Sequence, residues 1–170
     1  MLIRHSFALT AAVTALPALS AELTLKVQLP RMDIAEYHRP YVAAWIEKAS
    51  DQSYAGNVAL WYDLRKRDNG GAKWLKDMRS WWRKSGHDMA RVDGVTGATR
   101  TAGDHALNLL DAKAVAALAP GRYEVVVEAA RENGGREVLR LPFDWPLKTA
   151  QTATAQGQGE LGAVSLEARP

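Results

Sequence analysis

The chain of 170 residues contains no cysteine. This absence excludes disulfide bonds, thiolate metal sites, a cysteine nucleophile and the attachment of a c-type haem. The sequence also lacks a phosphate-binding loop with its lysine and a dinucleotide-binding glycine fingerprint. The net charge is only +3, which is too small to indicate binding to nucleic acid. We therefore expect no nucleic-acid partner.

No apolar run is long enough to cross a bilayer. The longest, residues 7–19, follows Arg4 and precedes the small residues Ser20 and Ala21. This order is typical of a secretory signal peptide. We predict that residues 1–21 are a signal peptide cleaved near Ser20 or Ala21, and that the mature protein is periplasmic with no membrane span.

Most of the remaining chain alternates apolar and polar residues at the period of a half-buried strand. Strands are predicted at 22–29, 40–47, 56–63, 104–110, 123–129, 136–143 and 160–168. A helix is the alternative for residues 42–48, and residues 149–159 are predicted to be an exposed loop. About seven strands predict an all-β fold, with residues 22–170 as one antiparallel β-sandwich of the immunoglobulin or fibronectin type.

The spacing of Leu118, Pro120, Gly121 and Tyr123 supports that sandwich. It resembles the tyrosine corner of immunoglobulin-like domains, in which the tyrosine hydroxyl bonds to the chain just upstream.

One segment has a helical period instead. Apolar residues recur along one face of residues 72–84: Trp74, Leu75, Met78, Trp81 and Trp82. We predict a short amphipathic helix that packs these side chains on a sheet; the alternative is a tryptophan wall for a planar ligand.

Nine Lys or Arg and three Asp lie between positions 65 and 91. This strip is either a solvated helix face or a site for a phosphate group or an acidic protein.

Residues 93–103 are the only run that suggests chemistry. Small residues let a loop bring its backbone close to an anion, and threonine hydroxyls can accept a covalent group. The residues are Asp93, Gly94, Thr96, Gly97, Ala98 and Thr99. The alternative is a glycine-rich turn between strands, with the threonines bonded to the local backbone.

These six residues resemble the flavin-attachment motif of bacterial extracytoplasmic proteins, Asp-Gly-x-x-Ser/Thr-Gly-Ala-Thr. The resemblance implies that a flavin transferase links FMN through its phosphate to Thr99. Gly94, Gly97 and Ala98 would let the loop pack against the flavin, and Asp93 would orient the hydroxyl or serve in recognition. Lys or Arg between positions 79 and 91 would neutralise the phosphate.

The mature chain shows a second, longer resemblance in residues 59–62, 74–82, 93–100 and 120–137. On these residues it resembles DUF2271, a family of predicted periplasmic proteins. It implies a setting of flavin transferases and PepSY-type membrane proteins, and thus of extracytoplasmic electron transfer, but it implies no settled activity.

Other chemistries have weaker support. The histidines of the mature chain, His38, His87 and His105, do not show metal-ligand spacing. A metal site that uses Asp33, Glu36 or Asp88 is kept as an alternative hypothesis.

Two hypotheses follow. The chain is a flavoprotein that carries FMN on Thr99, or it is a cofactor-free sandwich module whose basic helix face binds an acidic or membrane protein. Both favour a carrier or a binding module over an enzyme in its own right.

Overall fold

A computed structural model describes residues 21–86 and 94–170. The predicted signal peptide and Asp93 therefore lie outside the described residues, apart from Ala21, and so do His87 and Asp88. Within the described ranges, no helix is both long and apolar enough to span a membrane.

Nine strands form the described fold: β1 (Glu22–Leu29), β2 (Tyr41–Lys48), β3 (Tyr54–Tyr62), β4 (Thr96–Ala98), β5 (Gly103–Asn108), β6 (Gly121–Ala130), β7 (Arg136–Trp145), β8 (Gln151–Gln156) and β9 (Ala163–Arg169). One sheet has the order β5-β1-β9-β8 and the other the order β4-β3-β2-β6-β7. All neighbours pair antiparallel except β3 and β4, which are parallel. The predicted all-β sandwich is confirmed, with two more strands than expected.

The sandwich core follows from the alternation along the strands. In β1, Leu23, Leu25, Val27 and Leu29 all point inward and are buried, and they pack with residues of the five-stranded sheet. Burial of these apolar side chains is the main force that holds the two sheets together. The prediction for residues 22–29 was right at both ends.

β2 differs because it is buried on both faces. Ala44 and Ile46 point into the sandwich core, whereas Ala43 and Trp45 belong to a second apolar cluster on the outer face of the sheet. A strand covered on both sides shows a continuous apolar run rather than alternation. This double cover explains why a helix was an alternative for residues 42–48.

The outer face of the five-stranded sheet is covered by residues 67–86, called here the helical excursion. It consists of a 3-10 stretch (Arg67–Asp77), a short α-helical turn (Arg79–Trp81) and a π turn (Trp82–Gly86). The predicted short helical insertion over 72–84 is present, but it consists of these three pieces and is not one continuous α-helix. The backbone at Asp68 and Asn69 is left-handed, with φ of 52° and 54°, and the excursion bends there instead of forming one α-helix.

The different helical period also changes which side chains are buried. Leu75, Met78 and Trp81 are fully buried against the sheet, but Trp74 is 37% exposed. A 3-10 stretch has three residues per turn, so a stripe at α-helical spacing does not stay on one face.

The tyrosine corner is present. The hydroxyl of Tyr123 donates to the carbonyl oxygen of Ala119 at 2.8 Å. A second short helix, Lys113–Ala116, precedes this corner.

The prediction of an exposed loop over residues 149–159 was wrong, because β8 lies within it. β8 alternates half-buried and exposed residues and pairs with β9 at the edge of its sheet. β7 is an edge strand, which suits Pro142 within it because a proline has no N–H to donate to a neighbouring strand.

Candidate functional site

The Gly/Thr run forms an edge strand rather than a simple turn. β4 adds to β3 with Leu60 opposite Thr96 and Tyr62 opposite Ala98. The backbone N–H of Thr99 donates to the carbonyl oxygen of Tyr62 at 3.1 Å. This amide is therefore occupied by the sheet and does not serve an anion, contrary to the loop interpretation.

The local structure explains one of the two motif glycines, Gly94, but not the other, Gly97. Gly94 has φ of 82°, which strains any other residue. A Cβ on Gly97 would lie 3.5 Å from Cδ1 of Trp61, an ordinary contact. The sheet thus tolerates a side chain at Gly97, and packing within the described chain does not explain that glycine.

Thr99 is half-buried on the wall of an open pocket of about 270 Å³. Three segments meet there: the connection before β2, the connection after β3, and the start of the β6–β7 turn. The other lining residues are Tyr37, His38, Arg39, Tyr41, Asp63, Arg65, Lys66 and Glu132. The pocket is called here the Thr99 pocket.

Two of the three cations in the Thr99 pocket have no ion-pair partner among the described residues. Lys66 is paired, since its Nζ lies 3.2 Å from Oε2 of Glu132. This hydrogen bond to Glu132 raises the pKa of Lys66. Arg39 and Arg65 are exposed at the pocket and form no described salt bridge.

The polar groups at the base of the pocket are occupied locally. Oδ1 of Asp63 accepts the backbone N–H of Arg65 at 2.9 Å. The hydroxyl of Tyr41 donates to the carbonyl oxygen of Gly71 at 3.1 Å, and burial raises the pKa of Tyr41. A Cβ on Gly71 would lie 1.9 Å from the carbonyl oxygen of Asp63. Gly71 therefore allows the chain to close tightly beneath the pocket.

The chain just after Thr99 is fixed to the sheet by aromatic contacts. The guanidinium of Arg100 lies 4.2 Å from the centroid of the Trp61 ring, at the distance of a cation–π contact. The His105 ring meets the same indole edge-on at 5.7 Å. Its Nε2 is 2.8 Å from the carbonyl oxygen of Thr101. His105 is thus a packing residue in this structure.

No group of three or more His, Asp or Glu is gathered in metal-binding geometry within the described ranges. His38 lies 3.3 Å from Oε1 of Glu36, and Asp88, another candidate ligand, is outside those ranges.

A buried polar network holds the helical excursion on the sheet. Glu128 of β6 is fully buried. Its carboxylate accepts the backbone N–H groups of Ser80 and Trp81 at 3.2 and 2.7 Å, and it pairs with Arg136. A carboxylate at the start of a helical turn satisfies donors that have no partner within the turn.

Trp81 and Asn57 extend this network. The indole Nε1 of Trp81 donates to Oδ1 of Asn57 at 2.9 Å. The amide of Asn57 donates to Oγ of Ser85 at 2.7 Å. All three side chains are buried, so this chain of bonds fixes the end of the excursion.

Glu47 is the second fully buried carboxylate on this face. It accepts Nε1 of Trp45 at 2.7 Å and a guanidinium nitrogen of Arg140 at 2.8 Å. Lys84 lies 3.3 Å away. Burial acts to raise the pKa of Glu47, but the hydrogen bonds from Trp45 and Arg140 and the nearby positive charges lower it overall.

The exposed side of the excursion is basic. Five of its cations are exposed and form no salt bridge with the described residues: Arg67, Lys73, Lys76, Arg79 and Arg83. This set is called here the basic face. It adjoins the Thr99 pocket, because Nζ of Lys66 lies 5.6 Å from the centroid of the Trp74 ring.

The cations beside Thr99 are not those between positions 79 and 91 that the motif interpretation expected. Arg39, Arg65 and Lys66 line the pocket beside Thr99. The basic residues between 79 and 91 do not line it where they are described, and Lys84 is paired with Glu47. The alternative of a tryptophan wall does not hold for Trp81, which is fully buried under the excursion.

Sequence reasoning missed the contribution of residues 37–39. The segment has no strand or helix period, and only its aromatic and cationic composition signalled a surface role. Residues 65–67 belong to the basic strip between positions 65 and 91, but their place beside Thr99 depends on how β3 and β4 pair.

Comparison with curated proteins and with solved structures gives no match. The family model of DUF2271, described as a predicted periplasmic protein, matches residues 22–163. This match covers most of the chain, and the chain belongs to the DUF2271 family.

Proposed function

We propose that this protein is a periplasmic carrier of covalently bound FMN, attached at Thr99. The observation that carries the proposal is the position of Thr99. The acceptor residue of the motif lies half-buried on the wall of an open pocket that contains two arginines without a described ion-pair partner.

The attachment step is a phosphoryl transfer from a phosphoanhydride to the hydroxyl of Thr99. Oγ1 of Thr99 forms a bond to the phosphorus of the FMN half of a flavin dinucleotide, and the pyrophosphate bond breaks. AMP leaves with the bonding electron pair, and the hydroxyl proton passes to a base of the flavin transferase or to water. No group is oxidised or reduced, so the step needs no further reactant.

The residues present fit such a group. The hydrogen bond from the backbone of Thr99 to Tyr62 holds the acceptor against the sheet edge. The contact of Arg100 with Trp61 holds the following residue. Arg39 and Arg65 supply positive charge that neutralises the negative charge of the phosphodiester. When bound, FMN would supply one- and two-electron transfer.

The partners in this proposal are a flavin transferase and a PepSY-type membrane redox protein. The protein would act as an accessory of an extracytoplasmic electron-transfer system and would not be an enzyme in its own right. Support comes from the motif, the family and the pocket.

Co-expression with a flavin transferase in a bacterial periplasm tests the proposal. We expect flavin fluorescence of the protein band after denaturing electrophoresis. Thr99→Ala should abolish the fluorescence, Thr99→Ser should keep some of it, and the control Thr101→Ala should keep all of it. Fluorescence that persists in Thr99→Ala, or a band that is dark in all four proteins, would contradict the proposal.

The basic face favours a second candidate, a cofactor-free module that binds an acidic surface of a partner protein. Five exposed cations without a described ion pair make an attractive surface for such a partner. An acidic ferredoxin serves as the probe in a binding titration at low salt. Reversal of Lys73, Lys76 and Arg79 to Glu should abolish binding, whereas reversal of Lys113, Arg122 and Lys148 should leave it. Equal loss in both triple variants would reject this function.

A further inference from the structure

The size of the Thr99 pocket limits what it can hold. Sites that enclose a whole small-molecule ligand have volumes of roughly 300 to 1,000 Å³. The Thr99 pocket, at about 270 Å³, lies below this range and is open to solvent. It has room for the phosphate end of FMN but not for the ribityl chain and the three-ring flavin together.

The charge of the pocket selects the phosphate end as well. The partly buried Arg131 is matched with Glu160, and Arg136 with Glu128. Arg39 and Arg65 form no salt bridge with any described residue, and unlike the unpaired arginines of the basic face they line the pocket. Arginine has a planar fork of donors that matches phosphate oxygens.

The carboxylates in the pocket do not cancel this preference. Glu132 is occupied by Lys66, and one oxygen of Asp63 is occupied by the backbone of Arg65. The hydroxyl of Tyr41 already donates to the carbonyl oxygen of Gly71. The two arginines are therefore the cationic side chains of the pocket that have no ion pair among the described residues.

We propose that the Thr99 pocket is a phosphate-ester subsite in which Arg39 and Arg65 bind the phosphate of FMN, while the flavin ring stays outside the pocket. This inference rests on the proposed function and names how the same site recognises its group. It assigns recognition to two side chains that are distant from the motif in sequence. A ring outside the pocket is accessible to a redox partner.

The test uses the wild-type protein produced without a flavin transferase, so that Thr99 is unmodified. Free FMN, riboflavin and inorganic phosphate are the probes, and flavin fluorescence anisotropy is the measurement. We expect FMN to bind, riboflavin to bind at least about tenfold more weakly, and phosphate to compete with FMN, because the charged ester carries most of the recognition.

Two double variants locate the subsite. Arg39→Ala with Arg65→Ala should weaken FMN binding by about tenfold or more. Arg31→Ala with Arg122→Ala removes the same charge at two exposed positions that do not line the pocket. This control should change binding by no more than about twofold, the effect of weakly coupled surface charges.

Three results would overturn the subsite: riboflavin binding as tightly as FMN, phosphate failing to compete with FMN, or equal losses in the two double variants. Its failure is separate from failure of the proposed function. Fluorescent attachment at Thr99 without affinity for free FMN rejects the subsite alone. Affinity for free FMN without attachment supports the subsite and rejects the covalent carrier.

Discussion

Two polar regions lie near the five-stranded sheet, and they differ in whether their charged side chains are buried and paired. Beneath the helical excursion, Glu47 and Glu128 are fully buried and surrounded by donors. In the Thr99 pocket, Arg39 and Arg65 are exposed and have no described salt bridge. Among the described residues, no buried side-chain polar atom lacks a hydrogen-bond partner.

This difference assigns different roles to the two regions. A buried charge must be matched within the protein, because leaving it unmatched costs several kcal/mol. An exposed cation beside a pocket is hydrated at little cost and can exchange water for a ligand. The network under the excursion is thus expected to determine stability, and the pocket to determine recognition.

The largest expected effect is at Glu128. Glu128→Ala removes the partner of two backbone amides and of Arg136. We expect the free energy of unfolding to fall by about 3 to 5 kcal/mol, because two backbone donors lose their acceptor at about 1 to 3 kcal/mol each, measured by urea denaturation. The matched control at the pocket is Glu132→Ala, which should cost less than about 1 kcal/mol. Equal losses would remove the distinction between the two regions.

Trp81→Phe is expected to have the next largest effect. The substitution leaves Oδ1 of Asn57 without the indole donor and leaves unfilled space under the excursion. A buried group deprived of its partner costs about 1 to 3 kcal/mol. Urea denaturation measures the loss, and a change below about 0.5 kcal/mol would show that the excursion does not depend on this bond.

The pH dependence of stability tests Glu47. Its folded pKa is lowered from the ordinary value of 4.5. The stability it contributes is therefore present above pH 4.5 and is lost as the pH falls through the lower folded pKa. Unfolding by urea should need less denaturant as the pH falls below 4.5, and Glu47→Gln should lose less stability over that interval than the wild type. A steeper loss in Glu47→Gln would contradict the role of Glu47.

The smallest effect on stability is expected at the pocket arginines. Arg39→Ala with Arg65→Ala should change the free energy of unfolding by no more than about 0.5 kcal/mol, since neither side chain is matched in the fold. Thermal unfolding in phosphate-free buffer is the measurement. A loss above about 2 kcal/mol would show that these arginines hold the structure together.

Local patterns gave the parts of the fold that depend on local contacts. The alternation in residues 22–29 and the spacing that ends at Tyr123 each specify a feature of a few residues, and both predictions were confirmed. β8 was missed because Thr and Ala alternate there with little difference in hydropathy, as suits a half-exposed edge strand.

The remaining features depend on contacts between distant segments. A glutamate in a strand normally indicates a solvent-facing position, yet Glu47 and Glu128 are buried because the excursion folds over them. In the same way, Arg39 and Thr99 line the same pocket because β4 pairs with β3. The motif predicts the acceptor residue, but sequence spacing does not predict what surrounds it.

The most direct test of the account is the intact mass of the mature protein after co-expression with a flavin transferase, followed by peptide mapping. We predict an added mass equal to FMN minus water, carried by the peptide that contains Thr99. An unmodified mass in the presence of an active transferase, or the added mass on another residue, would contradict the assignment of Thr99 as the flavin acceptor.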